Sequence, residues 1–145
     1  MSLLNETFTL KNQIKIPKIG LGTWQSSPED AYHATKFALE NGYRHVDTAA
    51  AYKNEAAVGK ALRDSGVPRG EIFVTTKIPA ELKSFQEAVD SIKRSMVELD
   101  TEYIDLVLIH APRPWKIMRD NPEQKNISKK TLMSGKHWKK RIKVV

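Results

Sequence analysis

The sequence predicts an α/β chain built on a parallel sheet: an N-terminal hairpin followed by about four parallel strands with helices, which amounts to a truncated (β/α)8 TIM barrel. Three observations predict it. Strand-like and helix-like segments alternate at roughly thirty residues a unit, the rhythm of βαβ repeats. No strand is followed by Gly-x-Gly-x-x-Gly. Gly20-Leu21-Gly22 runs on into Thr23-Trp24-Gln25, which gives poor support to an open dinucleotide-binding sheet. The other parallel option, a closed eight-strand barrel, needs about 250 residues, and 145 residues leave room for half of one.

The elements follow in order. Thr7–Leu10 and Ile14–Ile16 flank a polar Lys11-Asn12-Gln13 turn and form the hairpin. Ile19 to Thr23 is a short apolar strand with two glycines. Ser26 and Ser27, then Pro28, Glu29 and Asp30, carry the chemistry of a helix start, and Asn41-Gly42 stops that helix after about Glu40. Arg44–Asp47 is a second short strand. Asn54–Arg63 is a helix with Val58 and Leu62 four apart, ended by Ser65-Gly66. Ile72–Lys77 is rich in β-branched and aromatic residues and reads as a strand. Ser84–Leu99 is a helix, with Ser84 and Glu87 in capping-box spacing and an apolar face of Phe85, Val89, Ile92, Met96 and Leu99. Ile104–His110, nearly apolar throughout, is the last strand.

Composition narrows the function classes. With 40% hydrophobic and 28% charged residues, the chain is no disordered polymer. No apolar run approaches the ~20 residues of a membrane span. The absence of cysteine excludes a disulfide scaffold, a thiolate zinc site and a cysteine nucleophile. The opening residues lack a basic segment followed by an apolar one, so a cytoplasmic location is expected. Charge is segregated. Residues 1–115 carry 14 basic and 15 acidic side chains, whereas residues 116–145 carry 10 basic and 2 acidic. The overall +7 therefore belongs to the last thirty residues, and no specific nucleic-acid partner is expected of the body.

Three polar residues close three consecutive strands: Asp47, Lys77 and His110. Their spacing is close to one βα unit each, and neighbouring strands of a parallel barrel end on the face that hosts active sites. The three side chains should converge there, with Tyr52 hanging over them from the loop after Asp47. Singly, each has an ordinary explanation: a turn-forming Asp, a solvated Lys, a structural His. Their repetition at the same place in successive units carries the case. A phenol, with a reference pKa near 10, is a poor acid at neutral pH. An ammonium beside it stabilises the phenolate, a carboxylate holds the ammonium in place, and an imidazole can hydrogen-bond a carbonyl oxygen. Such a group protonates a carbonyl as hydride arrives, and without metal-ligand clusters a nicotinamide is the expected hydride source.

Gly42-Tyr43-Arg44-His45-Val46-Asp47-Thr48-Ala49, then Glu55 and Val58-Gly59, resembles the aldo-keto reductase signature. Pro17 to Trp24 and Tyr103 to His110 are similar to the first and fourth strands of that family. The resemblance covers residues 7–115. It implies a (β/α)8 barrel and NADPH-dependent reduction of a small aldehyde or ketone. It further implies Tyr52 as proton donor, Lys77 and Asp47 as its tuners, and His110 as the residue that orients the carbonyl. Trp24, His110 and Trp115 are then substrate contacts, and Gly22, Thr23 and Asp47 cofactor contacts. Simple packing accounts for the two tryptophans equally well.

After Trp115 the sequence departs from this pattern, and residues 116–145 are expected to be a basic, disordered, unrelated tail. Within it, Lys139-Lys140-Arg141 beside Trp138 would suit weak nucleic-acid binding, and Asn126-Ile127-Ser128 is a chance glycosylation sequon. The units expected to hold most of the cofactor are absent from the pattern. The open sheet would have two bare edges that invite self-association, and the chain would be impaired as a reductase or an inactive fragment. The genetic code offers an origin for the tail. Back-translated and read one base earlier, Met133 to Lys140 permits Asn-Val-Trp-Lys-Ala-Leu-Glu-Glu, a sequence like the family's fourth helix. A one-base deletion near residues 117–125 would produce this. Restoring one base in the gene there is expected to open a long frame encoding further βα units; a frame that closes at once refutes the deletion.

Overall fold

A computed structural model describes residues 3–120. Strands β1 (Thr7–Thr9) and β2 (Lys15–Pro17) pair antiparallel as the expected hairpin, with Gln13 at positive φ in the turn. The main sheet follows the chain: β3 (Leu21–Gly22), β4 (His45–Asp47), β5 (Phe73–Ile78) and β6 (Leu106–Ile109), all parallel, in spatial order β3-β4-β5-β6. Between them run α1 (Pro28–Glu40), α2 (Glu55–Asp64) and α3 (Phe85–Leu99), and α4 (Trp115–Asp120) comes last. This is the β-then-α order of a barrel whose strands are added one by one.

Local chemistry sets the helix ends. Ser27 caps α1 by accepting from the Asp30 amide at 3.1 Å, with Pro28 in the first turn where a missing N–H costs nothing. Ser84 and Glu87 complete both halves of the capping box at α3, and Asp100 ends that helix in the left-handed region. Register sorts the side chains of the sheet. Gly22 is level with Asp47, Asp47 with Thr75, and Thr75 with Leu106. By alternation, His45, Asp47, Phe73, Thr75, Lys77, Leu106 and Leu108 share one face. Val46, Val74, Thr76 and Val107 share the other, which α1, α2 and α3 cover. The core lies on the covered side, where Val46, Ile72 and Val74 meet Leu39, Val58, Leu62, Leu99 and Ile104.

Two close fits fix how the layers meet. A Cβ at Gly59 would lie 2.4 Å from the Leu99 carbonyl oxygen, so α2 reaches the end of α3 only because that side chain is absent. Glu55 is buried at the start of α2, where it accepts from the hydroxyls of Thr76 on β5 (2.5 Å) and Ser95 on α3 (3.0 Å). Burial pushes its carboxyl above the ordinary range, and the two hydroxyls work against that shift.

The expected elements are present with shifted ends. The first parallel strand contracts from 19–23 to two residues, and Gly20 serves instead as a bare surface for the His45 ring, whose Nδ1 would sit 2.7 Å from an added Cβ. The last strand contracts to Leu106–Ile109, because Ile104 is committed to the core and Asp105 turns its carboxylate onto the Val74 amide. Asn54 lies before α2 rather than in it, with its side chain drawn elsewhere. Residues 116–120 of the expected disordered tail are helical, since α4 crosses the expected boundary; residues 121–145, with the proposed deletion product, lie outside the described residues. No helix among the described residues is long and apolar enough to cross a membrane.

Gly59→Ala should lower stability by on the order of 1–3 kcal/mol, because the clash is with backbone that cannot swing aside. Chemical denaturation of the variant against the parent checks this; an unchanged midpoint would mean that α2 and α3 do not meet as described.

Candidate active site

The site is built at the C-terminal ends of β4, β5 and β6. Asp47 is the last residue of β4, Lys77 the penultimate residue of β5, and His110 follows β6, its amide still donating to the Ile78 carbonyl at 3.0 Å. After β4 the chain makes a 3-10 turn over Ala50–Tyr52, closed by Lys53 in the left-handed region (φ 59°), which swings Tyr52 back over the strand ends. The four residues expected to converge do so.

Lys77 is the hub. Its Nζ donates to Asp47 Oδ1, to the Thr48 carbonyl at 3.0 Å and to the Tyr52 hydroxyl oxygen at 3.2 Å. An ammonium has three protons, so all three are spent. Because the Tyr52 oxygen receives one of them, its own O–H is left to point at another acceptor. The Lys77 side chain keeps only 13% of its exposure, so the pair it forms with Asp47 works in a medium less screening than water. His110 Nε2 lies 3.5 Å from the Tyr52 hydroxyl, with the two rings edge to face at 5.4 Å. Burial first, and then the Lys77 charge, hold the His110 imidazole below the usual histidine range, so it is neutral at pH 7. Its Nδ1 is buried without a partner among the described residues. An unmet lone pair costs less than an unmet N–H, which places the proton on Nε2, toward Tyr52.

Of the two expected substrate tryptophans, Trp115 reaches the site. Its ring stands edge-on to His110 at 5.3 Å, and its amide is anchored by Glu81 Oε1 at 3.2 Å. Trp24 projects from the loop after β3 and is 68% exposed. The expected cofactor contacts differ in kind. Gly22 faces open space, with nothing within 4 Å of where a Cβ would stand. Thr23 is 1% exposed, and both its amide and its hydroxyl are spent inside the chain. Thr23 therefore holds the loop rather than offering a donor.

Sequence reading missed the group that fixes this rim. The Asn54 amide donates to the carbonyls of Thr23 (2.8 Å) and Ser26 (3.2 Å), and its oxygen accepts from the hydroxyls of Thr48 (3.2 Å) and Thr23 (3.4 Å). One buried side chain thus ties the loop carrying Trp24 to Thr48, the residue whose carbonyl receives Lys77. Asn beside Glu at a helix start looks like a cap, which hid this role. His45 was also missed. It lies one layer below Asp47 with Nε2 3.0 Å from Thr75 Oγ1, and burial outweighs the nearby Asp47 charge to lower its pKa.

The fold and rim together define a parallel α/β structure of barrel type with a phenol, an ammonium, a carboxylate and an imidazole gathered at its strand ends. Residues 18–132 match the family model for the aldo/keto reductase family, and the chain belongs to that family. The likeness thus runs past Trp115. Over 104 residues the chain is 51% identical to glycerol 2-dehydrogenase (NADP(+)) of Saccharomyces cerevisiae, covering 72% of this chain and 33% of that one. The aldo/keto reductase of Brucella melitensis superposes with a TM-score of 0.75 at 36% identity, over 93% of this chain and 49% of its own. The aldo-keto reductase of Bombyx mori in complex with NADP gives 0.74 at 31% identity, over 93% and 47%. The chain thus spans about a third of that dehydrogenase and about half of these solved barrels.

The depressed His45 has a measurable consequence. Below its unfolded value of 6.5 the unfolded chain takes up a proton that folded His45 refuses. Its contribution to stability is present above about pH 6.5 and is lost as the pH falls toward the folded value. His45→Gln should flatten the fall in stability as the pH drops below about 6.5. An equally steep fall in the variant would exclude His45 as a source of the slope.

Proposed function

We propose that this chain carries the proton-donating rim of an NADPH-dependent reductase of small aldehydes or ketones. The observation that carries the reading is the Lys77 ammonium shared among Asp47, the Thr48 carbonyl and the Tyr52 hydroxyl. A substrate carbonyl oxygen would sit within reach of the Tyr52 O–H and of His110 Nε2–H. His110 orients and polarises it; Tyr52 gives its proton to the oxygen as the carbonyl carbon is reduced. The anion left on Tyr52 is met by Lys77, and Asp47 keeps that ammonium in place. Proton and charge thus move within one preorganised cluster that needs no rearrangement.

When bound, NADPH would supply the hydride. The residues present fit the nicotinamide end of such a cofactor: Gly22 leaves open space at the rim, and one Asp47 oxygen is not engaged by Lys77. The rest of the dinucleotide would need surface beyond the described strands. Trp115 and Trp24 would form part of the substrate wall.

The chain's short span of its relatives and the exposure of Leu108, 41%, on the inner side of the sheet favour a second reading, in which this chain alone turns over little or nothing. Both readings are separable. NADPH consumption with a simple aldehyde, and quenching of tryptophan fluorescence by NADPH, should be followed together. Tyr52→Phe should cost at least a hundredfold in kcat/KM, on the order expected for a lost general acid, with quenching unchanged. Turnover equal to the parent's would remove Tyr52 from the chemistry. Absence of both turnover and quenching in the parent would leave the inactive-fragment reading.

A further inference from the structure

We propose that Asn54 is a positioning residue: it fixes where the Trp24 indole stands relative to the Tyr52 hydroxyl, and so sets which carbonyl substituents the rim accepts. The indole is not placed by its own packing, because most of its surface meets water. Its place is set by its backbone, a four-residue turn from Thr23 to Ser26 with Trp24 and Gln25 at the tip. That turn holds itself poorly. Its own hydrogen bond, from the Ser26 amide to the Thr23 carbonyl, is long at 3.3 Å. Its third residue, Gln25, stands at φ 61°, a left-handed position that glycine or asparagine ordinarily takes and that crowds the Cβ of other residues.

Asn54 supplies what the turn lacks. Its Nδ2 donates to the Thr23 carbonyl at 2.8 Å and to the Ser26 carbonyl at 3.2 Å, so one NH2 group grips both ends of the turn. It can do this because it is itself fixed: the side chain is buried, and its oxygen accepts from the hydroxyls of Thr48 and Thr23. Along the chain, Asn54 follows Tyr52 by two residues, across Lys53, which also stands in the left-handed region. Two turns with left-handed residues, one bearing the indole and one the phenol, therefore meet at this carboxamide. The direct bonds from Thr23 to Asp47 and Thr48 hold the root of the Trp24 turn, whereas Asn54 also reaches its far end at Ser26. Loss of the carboxamide should leave the root in place and free the tip. The consequence falls on carbonyls with a flat apolar substituent, such as aryl aldehydes, whose ring would lie against the indole; a short aliphatic aldehyde has no ring to place. The effect on substrates rests on the reductase reading of the rim, but the order of the turn does not.

The test keeps the two apart. With Trp115→Phe and Trp138→Phe in the whole chain, Trp24 is the sole tryptophan, and its time-resolved fluorescence anisotropy needs neither cofactor nor aldehyde. Adding Asn54→Ala should enlarge the fast local component of the decay while the circular dichroism stays that of the parent. An unchanged decay overturns the proposal. With the tryptophans intact, Asn54→Ala should lower the ratio of kcat/KM for benzaldehyde to that for propanal at least about threefold, within the range of one aromatic contact. A purely structural defect lowers both alike, and an unchanged ratio overturns the selecting role. Absence of turnover in the parent counts against the reductase reading alone, since the anisotropy is read without it. Should the alanine variant fail to fold, the parent decides. In 15N-labelled protein the Asn54 carboxamide protons should be protected from exchange, in contrast to those of the exposed Asn12. Exchange as fast as at Asn12 overturns the clamp.

Discussion

One ammonium organises the rim of this protein. Lys77 Nζ meets three oxygens contributed by the end of β4, by the peptide after it and by the 3-10 turn that follows. A cation held at 13% side-chain exposure needs its acceptors close, and these acceptors come from a stretch only six residues long, Asp47 to Tyr52. The strand end and the turn are therefore drawn to one point on β5. Their separation in the sheet is set by register, Asp47 beside Thr75 and Lys77 two residues further on the same face. Removing the amine would leave a carboxylate, a carbonyl and a phenol facing one another with nothing between them, which is why the geometry of the cluster belongs to the lysine more than to any other member.

The support behind the cluster is polar and buried. Thr23, Thr48 and Asn54 are each about 1% exposed or less and are linked by hydrogen bonds to one another. Buried polar groups rigidify only when every member is satisfied; here the Asn54 amide reaches four partners. Below, His45 and Thr75 form a second polar contact inside the sheet, with the His45 ring seated on Gly20. On the helix side Glu55 does comparable work, linking α2 to β5 and α3 through Thr76 and Ser95.

Much of this was legible in the sequence, for reasons that differ by element. The helices were readable because capping residues and apolar periodicity agree, as at Ser84, Glu87 and the Phe85-to-Leu99 stripe. The convergence of Asp47, Lys77 and His110 was readable because βα units have a near-constant length, so equal spacing becomes equal height. Strand ends were not readable. Ile19 and Ile104 are apolar for the sake of neighbouring loops and core, and hydropathy alone cannot tell these from ladder positions. Asn54 was invisible for a related reason: its four partners lie in segments that only the closed loops bring together. Helix α4 crossed an expected boundary because a change of charge at residue 116 marks surface composition and not the end of an element.

The double attachment of Asn54 carries a further consequence. The loop after β3 and the strand end after β4 share this carboxamide and are joined directly as well, by the Thr23 amide on the Asp47 carbonyl and the Thr23 hydroxyl on that of Thr48, so they cannot shift independently without breaking hydrogen bonds in a dry interior. A displacement of the loop carrying Trp24 would strain the bond to the Thr48 hydroxyl, on the residue whose carbonyl receives Lys77. The two segments form one unit, its outer end in water and its inner end against the ammonium that meets Tyr52.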